Sequence, residues 1–541
     1  MRLHRLGLAY VSMCAVLTGC ADGGPDVPAD LQEDQAPASP SGPTGDGIAT
    51  GEIPGGAQEP GESDVAAQDA VFVMNTERYF TAVGVALRSK DMSSSPPEVL
   101  LRTSGGFNRI TGTPHNGGYR FLGVPQGEFY LRTGGTYILT DERHVEIGRN
   151  ILGRADTVYS PRSSTPLHLN LTNLAPWQQS AGLTTGSRIQ LVSGSVDFTG
   201  DALISDAIST GATELNTQNA IAAAMTNLVP VFEAAKGDGL YVNQHATVYG
   251  QPLPLSNARL AANSLVRSLQ VPAFDFTADD ITPLAISGAL QDVPTSEVSF
   301  EWRLGAYTPH ASNVHPSASP RIPSFFIDVA AHGPEAGWVG YSGEILSFAL
   351  EAGAAFTLTN RLPYGNPYPS SWRLVASATY PFRTMEVPPG GGPAIGLSGS
   401  IASTDYLENL VAGPIIPRLT PPRALSIDGI PATSQRVVGN TSPVISWQPP
   451  ANGAPTTYRV RLYRLDRDGG FVSVMPQNTF FLPGTATDVR LPPGLLAPNT
   501  VYSVRVMAMD SPNFDFATPL YTNDQLPVYS ADTVSSFFST P

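Results

Sequence analysis

Five carboxylates between residues 297 and 344 are the side chains best suited to acid–base work: Glu297, Glu301, Asp328, Glu335 and Glu344. Hydrolysis of a glycosidic bond needs two such groups roughly 5 to 10 Å apart. Spacing along the chain gives no such distance, so no catalytic residue is assigned. His310, His315 and His332 are the next candidates, as metal ligands. Pro309 and Pro316 flank the first two, and their spacing is not that of one helix face, so the expectation is loop histidines, with no metal and no cofactor. Asp466, Asp468 and Gly469 begin like a calcium loop, but the twelfth position is Gln477, which cannot supply a bidentate carboxylate. Tyr364, Tyr368 and Trp372 stand among prolines in Pro363–Trp372. They could form a rigid ligand platform for sugar rings. A stiffened loop packed on a sheet accounts for the same residues. The chain carries no G-x-S-x-G elbow, no H-E-x-x-H and no phosphate-binding glycine loop.

The two cysteines, Cys14 and Cys20, both lie at the amino terminus. Arg2 and Arg5 precede a mostly apolar run of 13 residues, Leu6 to Thr18. That is shorter than the roughly 20 helical residues a bilayer requires. A basic start, a short apolar centre and small residues before a break make a secretory signal, residues 1–19. Leu17-Thr18-Gly19-Cys20 resembles the lipobox of bacterial lipoproteins. The resemblance implies that Cys20 becomes the first mature residue and carries fatty acyl chains, such as palmitate. Stable attachment takes two or more chains, because one holds only marginally. Ala21 directly follows the cysteine, and Asp22 comes one later; in such lipoproteins this leans toward the outer membrane. Loss of Cys14 with the signal and acylation of Cys20 would leave no disulfide and no thiol chemistry.

Residues 20–70 read as an acidic disordered tether. From 21 to 70 there are eleven acids and no lysine or arginine, and Pro, Gly, Ser and Ala dominate. As a flexible coil, such a segment spans roughly 40 Å. It carries most of the net charge of -15; without it and the two leader arginines, residues 71–541 hold -6. With no basic stripe for a phosphate backbone, no nucleic-acid partner is expected.

The elements that must position these side chains are short strands. Pro 50 and Gly 52 in 541 residues favour many turns over long helices. The expected fold class is all-β and multi-domain, with Ig-like β-sandwiches flanking a larger β-rich central region. In 71–165, Val83–Leu87 and Glu98–Arg102 read as strands. Tyr119 and Phe121 alternate before a Pro-x-Gly turn, then Phe129 and Leu131. This hairpin, Gly117 to Leu131, resembles carboxypeptidase-regulatory-like and transthyretin-like domains, which implies a non-catalytic accessory module. Residues 166–415 form a β-rich central region of unknown fold. Leu167–Leu171, Arg188–Val192 and Glu297–Trp302 alternate, and Phe325–Val329 reads as a buried strand. Thr217–Leu228 is alanine-rich and compatible with helix; Asn257–Leu269 fits neither period well.

In 418–541, Trp447 precedes Tyr458–Tyr463, which alternates with period two. Leu496-Ala497-Pro498-Asn499-Thr500-Val501-Tyr502-Ser503-Val504-Arg505-Val506-Met507-Ala508 resembles the L-x-P-x-T-x-Y-x-V-x-V-x-A signature of fibronectin type III domains. The resemblance implies that Tyr502 bonds its hydroxyl back to backbone near the Leu-x-Pro turn. Trp447, Tyr502, Val504 and Val506 would fill a sandwich core. The whole reads as a membrane-anchored, non-catalytic binding or scaffolding protein of the cell envelope, with an envelope protein or glycan as partner. Two alternatives remain: a polysaccharide-acting extracellular hydrolase with 166–415 as catalytic domain, and a structural part of an outer-membrane assembly.

Overall fold

Period-two alternation becomes strand along nearly the whole chain. The computed structural model describes residues 69–541, except 105, 226–227, 255, 333–338, 341, 469–470 and 514–524. The leader, Cys20 and nearly all of the acidic segment lie outside the described residues, as do Glu335 and Gly469. Among the described residues, strands make up 54% and helices 4%, so the fold is all-β and built of multiple sheets.

The first strands are β1 (Val71–Met74), β2 (Thr76–Thr81) and β3 (Gly84–Ser89). β1 pairs with Gly118–Phe121. Tyr119 and Phe121 face the same core as Phe129 and Leu131, and all four are buried. The turn between them needs positive φ, which Gly123 (72°) and Gly127 (108°) supply without a Cβ clash. Val71, Val73, Val99 and Ile138 complete this core.

In the central region, Ser164–Thr172 buries Leu167, Leu169 and Leu171 on one face. Its antiparallel partner is Leu215–Ala224, so the alanine-rich stretch is strand and not helix. Leu215, Thr217, Ala220 and Ala222 point inward, and pairing on both sides satisfies the backbone that an isolated helix would have had to satisfy itself. Arg259–Val271 is also strand, paired along its length with Leu240–Pro252. Gln244 opposes Arg267 while His245 opposes Leu265, so Val266 is an extra, bulged residue. The bulge reverses the inward parity and explains why the apolar spacing fits neither regular period. Ser324–Ala330 is central, paired on both sides, with Phe325, Ile327 and Val329 fully buried.

Backbone pairing crosses between the regions. Thr136–Ile138 runs parallel to Thr479–Phe481, and Tyr137 stacks on Phe480 with centroids 4.7 Å apart. Ile395–Tyr406 pairs with Val528–Val534. One hydrophobic core accordingly runs from Trp302, Phe325 and Tyr380 to Trp447, Tyr458 and Tyr502. A second core gathers around Leu167, Ile189, Leu191 and Val242.

Near the carboxyl terminus, the Tyr502 hydroxyl accepts the Ala497 N–H at 2.8 Å, five residues upstream. Trp447, Tyr502, Val504 and Val506 are all buried. Tyr502→Phe keeps the ring and removes the acceptor. It is expected to destabilise the protein by about 1–2 kcal/mol, read as a lower urea midpoint at unchanged slope.

Candidate functional site

A cluster of charged and polar side chains that includes Asp328 and Glu344 is built on the central strands. The strand Arg188–Ser193 turns Ile189 and Leu191 toward one core. Arg188 and Gln190 take the opposite face, beside His245 and Asn243 of the paired strand. The strands Ser324–Ala330 and Glu344–Ala349 close over that face.

A register shift makes the pairing that matters. Ile327 opposes Leu346 but Asp328 opposes Glu344, so Ile345 is bulged and two carboxylates become direct cross-strand neighbours. Such neighbours have Cβ atoms roughly 5 Å apart. Arg188 is the cation that answers them. Its Nη2 lies 2.7 Å from Glu344 Oε1 and its Nη1 2.9 Å from Asp201 Oδ1. Its Nε donates to Asn263 Oδ1 at 3.3 Å. Glu344 also accepts from Ser347 Oγ at 2.8 Å, and its amide donates to Gln190 Oε1 at 3.0 Å. His245 is fully buried, with Nδ1 3.9 Å from Glu344 Oε1. Among the described residues, neither ring nitrogen of His245, nor Asp328 Oδ1, has a hydrogen-bond partner.

Electrostatics follow from this geometry. Burial, reinforced by Glu344, holds the Asp328 carboxyl well above the usual carboxylate range. Burial and then Arg188 hold the His245 imidazolium form well below the usual histidine range. Burial therefore favours the protonated acid at Asp328 and the neutral ring at His245. Two carboxylates facing each other across strands are the kind of pair a glycosidase uses. Both residues are only 8% exposed, however, and Glu344 is neutralised by Arg188. A sugar chain cannot reach them.

Glu297 and Glu301 take the other course. Both sit on the outer face of Thr295–Arg303, whose inner face buries Val298, Phe300 and Trp302. Four strand residues separate them by about 13 Å, too far for a hydrolytic pair. Glu297 lies 3.6 Å from Arg361 and Glu301 2.6 Å from Arg303. An open cleft of about 440 Å³ adjoins Glu301, lined also by Gln251, Ser299, Thr359 and Arg361.

The aromatic patch faces inward. Tyr368 and Trp372 stack with centroids 5.0 Å apart, but they are 7% and 6% exposed. The Tyr368 hydroxyl accepts from Asn243 Nδ2 at 2.7 Å, and Tyr241 packs edge-on against its ring. Tyr364 is half-buried on Thr357–Gly365. Tyr368 and Trp372 are thus turned toward Asn243 and Tyr241 and away from solvent. The prolines stiffen a loop that closes inward because Asn243 and Tyr241 wait there.

The histidines are apart. His315 Nδ1 accepts the Ser317 N–H at 3.2 Å, so Nε2 carries the proton and donates to Ser536 Oγ at 3.1 Å. His332 Nε2 donates to the Gly194 carbonyl at 3.0 Å, with its ring against Trp372. His310 ends the turn Thr308–His310. Among the described residues, no group of His, Cys, Asp and Glu is arranged to hold a metal. Asp466 is engaged by Arg464 Nε at 2.6 Å.

Arg188, Gln190, Asn243 and His245 were the members of the cluster that sequence reasoning missed. Their signal was available: Arg188 and Gln190 alternate with the buried Ile189 and Leu191. No family model matches the chain, and no curated protein matches it. Among solved structures, a crystal structure of the FN1–FN3 domains of chicken CNTN1 is similar over 69% of this chain and 98% of that one, at 12% identity and a TM-score of 0.13.

Proposed function

We propose that this chain is a lipid-anchored protein of the cell envelope that binds or scaffolds other components and does not catalyse. The carrying observation is that the one cross-strand carboxylate pair of the described central region, Asp328 and Glu344, is sealed and neutralised, serving the fold and not a substrate. The Tyr502 hydroxyl bonded to the Ala497 amide, with Trp447 in the core beneath, supports reading 418–541 as a fibronectin type III-like module. The buried Tyr119, Phe121, Phe129 and Leu131 support an accessory sandwich in 71–165. Both are modules of presentation and spacing.

Location rests on Leu17-Thr18-Gly19-Cys20. In this reading Cys20 carries the acyl chains, and the acidic segment spaces the folded part from an outer membrane. Labelling with a fatty-acid analogue tests it. Wild type is expected to incorporate label and sediment with membranes. Cys20→Ala is expected to lose both. Equal incorporation by the two proteins overturns the anchor. Release of reducing ends from a polysaccharide by wild type, abolished in Glu301→Gln, overturns the non-catalytic reading.

A further inference from the structure

Among the described residues, β3 is the terminal strand of a three-stranded sheet, hydrogen-bonded to β2 on one side and to no strand on the other. All six of its residues are exposed. On one face, Val85 is 42% and Leu87 67% exposed, and Val83 in the preceding turn is 98% exposed. Soluble proteins normally blunt such an edge with inward charges, proline or a covering loop. Here an unpaired backbone edge and an aliphatic stripe coincide.

Charge says what the edge accepts. Arg78 opposes Leu87 and lies on the aliphatic face; Arg88 lies on the other face, opposite Glu77. Glu77 is shared by Lys90 at 3.7 Å and Arg149 at 3.6 Å. Asp91 is turned onto its own loop by Ser93, and Glu146 accepts the amides of Thr76 and Gly148. Among the described residues, no ion pair engages Arg78 or Arg88; Arg88 Nη1 donates to the Ala155 carbonyl at 2.9 Å, leaving its other guanidinium N–H groups for a carboxylate. A second copy of this edge would add the same positive surplus.

We propose that β3 takes up an extended acidic segment of a partner polypeptide as an added strand. Backbone hydrogen bonds would give affinity, aliphatic side chains of the segment would cover Val85 and Leu87, and its carboxylates would meet Arg78 and Arg88. This stands independently of the lipid anchor, because the test reads the edge and not the membrane.

The test uses the full chain in detergent with two synthetic peptides of about eight residues. One alternates valine and threonine with glutamates; the other carries lysine in place of each glutamate. The acidic peptide is expected to slow amide exchange across 83–89 and to bind about tenfold more tightly than the basic one. Arg78→Glu with Arg88→Glu is expected to reverse that preference. Leu87→Lys is expected to weaken binding of the acidic peptide. Equal affinity for both peptides, or no slowing at about 1 mM acidic peptide, overturns the proposal. Protection that grows with protein concentration without peptide identifies a second copy as occupant and also overturns it. So does protection present at every concentration and unaffected by peptide, which identifies a segment of this chain.

Discussion

Replacing Arg188 by methionine is expected to lower the stability of the central sandwich by about 3 kcal/mol. The methionine fills the aliphatic part of the site but leaves Glu344 and Asp201 without their cation. Taking one partner from a buried pair exposes the full desolvation penalty of the other, and here one arginine serves two carboxylates beside a third, Asp328. For a domain of this size the loss lowers the melting temperature by about 10 °C in calorimetry. Arg188→Met combined with Glu344→Gln is expected to recover part of the loss, because glutamine still accepts from Ser347 and brings no charge. A double variant less stable than the single one would show that Glu344 is not the group Arg188 compensates.

Asp328 and His245 are expected to impose opposite pH dependences that mask each other. Asp328 is held above the carboxylate range by burial and then by Glu344. The folded state keeps a proton that the unfolded chain loses near pH 4, so stability falls as pH rises from there to the folded value. His245 is held below the histidine range by burial and then by Arg188. The unfolded chain gains a proton near pH 6.5 that the folded state refuses, so stability falls as pH drops below that point. Each slope reaches about 1.4 kcal/mol per pH unit, and between roughly pH 4 and 6.5 the two oppose. Asp328→Asn removes the first and leaves stability falling on acidification. His245→Gln removes the second and leaves stability falling as pH rises. Urea midpoints measured from about pH 4.5 to 8.5 separate the two. Parallel profiles for both variants and wild type would show that neither group titrates differently on folding.

What could be read from sequence was what is local. Tyr502 and its amide partner are five residues apart, and parity alone placed Trp447, Val504 and Val506 inward. The hairpin around Gly123 and Gly127 was equally visible. Bulges hid the rest. Val266 shifts the parity of a long strand, and Ile345 brings Glu344 opposite Asp328 where simple counting would have paired Asp328 with Ile345. The carboxylates were conspicuous, but Arg188 and His245, which decide what they do, stand 83 or more residues away in the chain. The proline-flanked aromatics had the composition of an exposed loop; only Asn243, from a distant strand, shows that they face inward. Thr217–Leu228 misled because alanine favours helix on its own, while sheet neighbours decided the outcome.

The short parallel ladder between Thr136–Ile138 and Thr479–Phe481 bears on how the chain matures. Asn478 donates to the Gly135 carbonyl across 343 positions of sequence. A ribosome delivers the amino-terminal strands first. The edge at Thr136–Thr140 therefore stands uncapped until almost the whole polypeptide has been made, and contacts of such long range close slowly. Truncated translation products lacking the last fifty residues retain residues 479–481 but lack the strand Val501–Asp510, which pairs with their neighbour Thr457–Asp468. They are the species from which clumping should begin.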